Sequence, residues 1–367
     1  MSKCCLAHFL VAAMLAAGAD VSGQSVVVRD APGIAFGPYT DSNSPAHWDG
    51  DTLYVFNSND KPVRSYGRDQ FHFVNPTDAQ LDNKLALWWI ECTWKDDNGV
   101  LYGWYHHEPR GLCPGTELTA PKIGAVKSTD NGLHWTDLGI VLEAPPGTLD
   151  CSYRNGWFAG GHGDFSGMLG RDKNHYYIFF SNYAGDVSEQ GVAVARLPWK
   201  DRDDPVGKFR KYHDGEWEEP GLGGHMTPFF PAKLSWRERE SDAFWGPSIH
   251  WNTYLGKYVI LLNRAYGSPQ WPQEGIYITS SDGLSDPKAW SIPKKITDGK
   301  WYPQVIGLDT KARETDKQCG RVGRLYMHGI SRKEIVFLRR DDDPAALPPV
   351  YRPERGRPVS EKRAESP

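Results

Sequence analysis

Beyond the first two dozen residues, short β-prone runs are separated by polar turns, and no stretch keeps the 3.6-residue period of an amphipathic helix. The runs group into five similar modules, each a strand, a polar turn and a second strand rich in aromatic and β-branched residues. In the first, the turn Trp48-Asp49-Gly50-Asp51 precedes a strand over 52–56, with outer strands over 62–66 and 71–74. The second has strands over 85–94, 100–106, 123–127 and 135–142. The third has strands over 165–169, 175–181 and 191–197. The fourth has 244–251, 257–263 and 275–279, and the fifth 301–307, 324–330 and 334–339. A further run, 25–29, can form a strand that closes a ring.

One turn carries a recognisable motif. Ser128-Thr129-Asp130-Asn131-Gly132-Leu133-His134-Trp135 reads S-x-D-x-G-x-x-W and resembles an Asp-box. Asp130 can accept bonds from the backbone of its own turn, Gly132 allows positive φ, and Trp135 packs beneath the hairpin. The resemblance implies a turn between the third and fourth strands of a propeller blade, on the face away from any active site. The stretch 280–290 resembles a lengthened form of the same turn. Five modules, this turn and a closing strand together predict an all-β fold, a five-bladed β-propeller spanning 24–340.

Composition agrees with an all-β scaffold that presents aromatic platforms: 15 Trp, 17 Tyr and 38 Gly in one chain. A net charge of −4 leaves no basic footprint for nucleic acid. The N-terminus reads as a secretion signal over 1–23, with Lys3, an apolar run over 6–17 and Ala17-Gly18-Ala19 as a cleavage site. That run is too short to span a membrane, so the expected location is secreted or periplasmic. Of the four cysteines beyond the signal, Cys113 and Cys151 lie in loop-like sequence and are the preferred disulfide, whereas Cys92 follows an apolar run and reads as a buried thiol. Residues 341–367, rich in Asp, Pro, Glu and Arg, read as a disordered tail.

In a propeller, the starts of the inner strands and the ends of the second strands share one face. Asp41, nine residues before the glycine of the first turn, and Asp164, within Gly160-Gly161-His162-Gly163-Asp164, are the leading carboxylates. Glu108, after the second strand of module two, and Glu91, within its first strand, are the alternatives for a third. His107, His162 and His250 are candidate acids or sugar ligands. Arg264 closes the second strand of module four, Glu274 sits in the loop Gln273-Glu274-Gly275, and Trp157 and Trp245, with Trp271 and Trp301, are candidate stacking platforms for a sugar ring.

Over 35–340 the blade pattern resembles the five-bladed glycoside hydrolases of families 43 and 32. The opening Asp41-Ser42-Asn43 stands where those enzymes carry a catalytic Asp, although their Asp-Pro pair is missing. The resemblance implies hydrolysis of glycosidic bonds in oligo- or polysaccharides by carboxylate acid/base catalysis. One acid would protonate the leaving oxygen, Asp41 would activate water or attack, and Asp164 would orient the sugar and tune the acid. A sialidase-like exo-glycosidase and a non-catalytic carbohydrate-binding propeller are the rival readings. No zinc-protease, P-loop or lipase motif occurs. No cofactor is expected, a channel Ca²⁺ being compatible but without a readable ligand set. The expected partner is a carbohydrate, bound by a monomer.

Overall fold

The computed structural model describes residues 25–36, 40–83, 85 and 87–352. The expected signal segment, 1–23, lies outside them. Five sheets, antiparallel except for the short parallel pairings of Gln80–Leu81 and Gln318–Cys319, form the blades of a β-propeller. Their innermost strands are Ala46–Asp49, Trp88–Lys95, His162–Leu169, Ser241–Asn252 and Gln304–Gly307.

The cores lie between blades, which explains the sequence pattern. A strand sandwiched between two neighbouring sheets must be apolar on both faces. In His175–Asn182, Tyr176, Ile178 and Phe180 face blade two, whereas Tyr177 and Phe179 face blade four. Similar clusters fill the other gaps, with Phe56, Ile90 and Trp135 between blades one and two, and Ile34, Val55 and Ile306 between five and one. The strand Ser25–Ala35 pairs antiparallel with Ile330–Leu338 and becomes the outermost strand of blade five, so the first strand of the described chain closes the ring.

Three outer strands escape the sequence pattern. Arg210–His213, Glu216–Pro220 and Lys294–Thr297 are short, charged and half-exposed, a common form for a sheet edge. The expected tail differs at its beginning. Asp342 accepts from the Tyr254 hydroxyl at 2.8 Å, the Tyr351 amide donates to Glu334 Oε1 at 2.8 Å, and the Tyr351 ring stacks on Phe71. These contacts dock 342–351 across blades four, five and one, while 353–367 lie outside the described residues.

Cys113 and Cys151 form the expected disulfide, and Cys92 and Cys319 are buried thiols. The bridge ties the loop after the second strand of blade two to the connection leading into blade three. In the chain-entropy model a loop of this length stabilises by about 4 kcal/mol.

Candidate active site

Side chains from all five blades line a cavity of about 550 Å³ at one end of the propeller. Strand direction fixes which end. Leu87 and Trp89 begin the inner strand of blade two at the cavity, and His106 and Glu108 end the returning strand there. The next strand, Lys122–Ser128, runs away again, so the Ser128–Trp135 turn lies at the opposite end.

Three carboxylates predicted from sequence, Asp41, Glu108 and Asp164, reach this cavity, with Trp157, Trp245, Trp271 and Trp301. The segment carrying Asp41 is pinned across the channel mouth. Its amide donates to Ser58 O at 2.8 Å, Asn43 Nδ2 donates to Phe165 O and Pro247 O, and the Ser44 amide donates to Gln304 Oε1. Burial raises the Asp41 carboxyl to about 6, and the neighbouring charges of Asp164 and Glu108 add to the shift.

Asp164 and Glu91 owe their placement to β-bulges. The pairing of the third inner strand shifts between Gly163 and Phe165, and that of the second between Ile90 and Cys92. Each bulge leaves one residue out of the ladder, Asp164 or Glu91, and re-aims its side chain inward. Asp164 has φ +42°. Seven of the twelve non-glycine residues in the left-handed region of the described chain line this one cavity: Asp60, Leu87, Asp164, Gln270, Trp271, Trp301 and Tyr302. Backbone strain is thus concentrated at the cavity, where the surrounding contacts must hold it.

Asp164 is 4% exposed, and both of its carboxylate oxygens accept phenol hydroxyls, from Tyr183 and, at 3.0 Å, from Tyr302. Burial raises its pKa, while the nearby His106 and the two hydroxyls pull the other way. Glu91 is 1% exposed and does not line the cavity. Its Oε2 accepts the Phe165 amide at 3.0 Å, and its Oε1 lies 3.2 Å from His106 Nδ1. Burial pushes Glu91 up to about 7 despite the stabilising contact with His106.

His106 is the residue that sequence reasoning missed. Its Nε2 is 3.1 Å from Glu108 Oε1, so one imidazole bridges two carboxylates. Burial alone would lower its pKa, but the bonds to Glu108 and Glu91 more than reverse this and hold it well above the ordinary value. Gly163 makes room for the ring, since a Cβ there would sit 2.5 Å from His106 Cε1. The available signal was strand alternation. His106 and Glu108 are two residues apart and share a face, whereas His107 takes the other face and meets Leu87 O at 2.9 Å.

Other expected ligands fall elsewhere. His162 is fully buried between blades, where its Nε2 accepts from Lys211 Nζ at 2.9 Å. His250 is fully buried against Phe337 without a hydrogen bond at either ring nitrogen, and burial near Lys317 pushes it down to about 3. Arg264 pairs with Asp242 at 2.9 Å and Glu274 with Lys295 at 2.7 Å on the flank of blade four. Alternation explains this, because the neighbouring Ala265 takes the buried side.

Ligand atoms of Glu91, His106 and Asp164 lie within 4.8 Å of one another. The set does not suit Ca²⁺, which takes six to eight oxygens. Here the carboxylates already hold an amide, two hydroxyls and an imidazole. The arrangement suits proton transfer beside a sugar-sized cavity.

No protein-family model and no curated protein matches the sequence. Among solved structures, the chain is similar to an endo-arabinase from Bacteroides thetaiotaomicron VPI-5482, at 13% identity over 84% of this chain and 98% of that one, with a TM-score of 0.53. Weaker likenesses include a thermostable family-43 glycoside hydrolase, at 11% identity over 83% and 90% of the chains, with a TM-score of 0.48. An α-L-arabinanase mutant from Cellvibrio cellulosa gives 12% identity, 82% and 92% coverage and a TM-score of 0.48. At these identities the likeness concerns the fold, and the first of the three carries it.

Proposed function

We propose that this protein is an exported glycoside hydrolase that cleaves glycosidic bonds at the cavity by carboxylate acid/base catalysis. The observation that carries the reading is the convergence of Asp41, Glu108 and Asp164, from three different blades, on one cavity rimmed by indole rings. Paired carboxylates across a sugar-sized space suit protonation of a leaving oxygen on one side and activation of water on the other. Tryptophan faces suit the apolar faces of a pyranose or furanose.

In this mechanism Glu108 gives a proton to the leaving oxygen as the C–O bond breaks. Asp41, ionised above about pH 6, takes a proton from the attacking water. Asp164, clamped by two hydroxyls, is the fixed acceptor that orients sugar hydroxyls. Export is supported by the disulfide, which persists in oxidising compartments. A sialidase-like reading finds less support, because Arg110 is the sole arginine among the described residues that line the cavity, where an arginine cluster would be needed.

The test is release of reducing sugar from a panel of plant and microbial glycans by the purified protein, with Asp41→Asn and Glu108→Gln alongside. Release that either substitution abolishes supports the reading. Glycan binding without release by the wild type would instead support a carbohydrate-binding propeller.

A further inference from the structure

We infer that His106, backed by the buried Glu91, is the proton relay behind Glu108. The inference rests on the glycosidase reading for its chemistry, but its geometry stands by itself. Glu91 is sealed from the cavity and can reach a substrate only through His106. The ring of His106 joins the two carboxylates through opposite nitrogens, at 3.2 Å from Glu91 Oε1 and 3.1 Å from Glu108 Oε1. Glu91 is fixed from behind by the Phe165 amide. A buried carboxylate thus orients an imidazole, which serves a half-exposed group at the cavity, the division of labour found in hydrolytic triads.

Nδ1 has two neighbours that exclude each other. It lies 3.2 Å from Glu91 Oε1, an acceptor, and 3.2 Å from the Asp164 amide, a donor. With a proton on Nδ1 the ring donates to Glu91. Without one, Nδ1 accepts from the Asp164 amide. Both protonation states of that nitrogen therefore have a partner in place, and with its proton held by Glu91 the ring is oriented so that Nε2 is the nitrogen that exchanges a proton with Glu108.

The proton between His106 Nε2 and Glu108 Oε1 moves onto Glu108, which passes a proton to the leaving oxygen as the glycosidic C–O bond breaks. His106 is left neutral, its remaining proton on Nδ1 held by Glu91. Water adds to the anomeric carbon and its proton goes to Asp41. Asp41 releases that proton to solvent, and Nε2 recovers one from solvent. The net reaction is addition of water. Besides Glu91 and Glu108, the charged groups facing the ring are Asp164 from blade three and Asp41 from blade one, with His107 adjacent in the chain.

Two experiments on the purified protein test this, and the first needs no substrate. ¹⁵N NMR titration follows the His106 imidazole in the wild type, Glu91→Gln and Glu108→Gln. Each substitution is expected to lower the pH at which the ring loses its proton by about one unit or more. Glu108 is partly exposed at the cavity, so its variant keeps the test available if Glu91→Gln fails to fold. An unchanged titration in the folded variants overturns the relay whether or not the protein is a glycosidase.

The second compares leaving groups. On a sugar leaving group, Glu91→Gln should lower kcat about 10- to 100-fold with KM nearly unchanged, a share of the usual worth of general acid catalysis. On a dinitrophenyl glycoside of the same sugar, which departs without protonation, the loss should shrink to about threefold or less. Equal losses on both substrates would assign Glu91 a structural role and overturn the relay. Wild-type inactivity on every glycoside would overturn the glycosidase reading, leaving the titration to decide the proton coupling.

Discussion

The two ends of the propeller use aspartate in opposite ways. At the far end, Asp130 is satisfied within its own turn. Its Oδ1 accepts the amides of Leu133 and His134 at 3.1 and 3.0 Å, and Ser128 Oγ accepts the Gly132 amide at 2.9 Å. Slight burial acts against ionisation, but the His134 contacts more than offset it and bring Asp130 to about 2. At the cavity end, Asp164 is buried and clamped by Tyr183 and by Tyr302 of blade five, Asp41 is half-buried beside the charges of Asp164 and Glu108 from other blades, and both have raised pKa values. The first arrangement stabilises an ionised carboxylate where it does nothing further. The second keeps carboxylates near the protonation boundary, where acid/base chemistry operates.

The sharpest way to break this contrast is to neutralise Asp41. Asp41→Asn should lower kcat on a glycan by about 10³-fold, within the range for a general base, and Asp130→Ala should leave it unchanged. Glu108→Gln should follow, with a loss of about 10²-fold on sugar leaving groups. Steady-state kinetics of the three variants checks the ranking, and an active Asp41→Asn would remove the base from the account.

Binding comes next in size. Trp157 is 49% exposed beside the cavity, so truncation should cost little folding energy. Trp157→Ala is expected to raise KM about 10-fold, the worth of one aromatic contact, with kcat little changed. An unaltered KM would remove Trp157 from the sugar site.

Stability should move in the reverse direction. The Asp41 pKa is about 6 in the folded protein against an ordinary 3.8. A raised carboxyl contributes stability at low pH and loses it as pH rises through the folded value. Asp41→Asn should therefore stabilise the protein at pH 8, by about 1–2 kcal/mol after allowing for partial exposure, and be neutral near pH 3. Asp130→Ala, which removes several turn hydrogen bonds, should destabilise by about 1–2 kcal/mol at pH 7. Thermal unfolding at the two pH values reads both. If Asp41→Asn unfolded earlier at pH 8, its carboxylate would be a structural group like that of Asp130.

The same contrast explains what could be read from the chain. The Ser128–Trp135 turn was legible because the side-chain bonds of Ser128 and Asp130 that shape it reach only residues within the turn. The blades were legible because their inner strands are short runs of β-branched and aromatic residues bounded by polar turns, and the closing strand because Val26, Val27 and Val28 are strongly β-prone. Asp41 and Asp164 could be found because they stand where inner strands begin. The bulges at Glu91 and Asp164 could not, since an extra residue shifts only an alternating pattern, and these two strands are buried on both faces. His106 joins partners 15 residues back, two residues on and 58 residues on. Only the closed ring brings these together. His162 and His250 misled because burial between blades and exposure to the channel both produce a histidine in an apolar strand.

The most direct test is sugar release from a glycan panel by wild type, Asp41→Asn and Glu108→Gln at pH 5 and pH 7.5. The account predicts release by wild type that rises as Asp41 ionises through about pH 6, and near-complete loss in both variants. A wild type that binds a glycan but releases nothing at either pH, or an Asp41→Asn protein that matches it, would contradict the account.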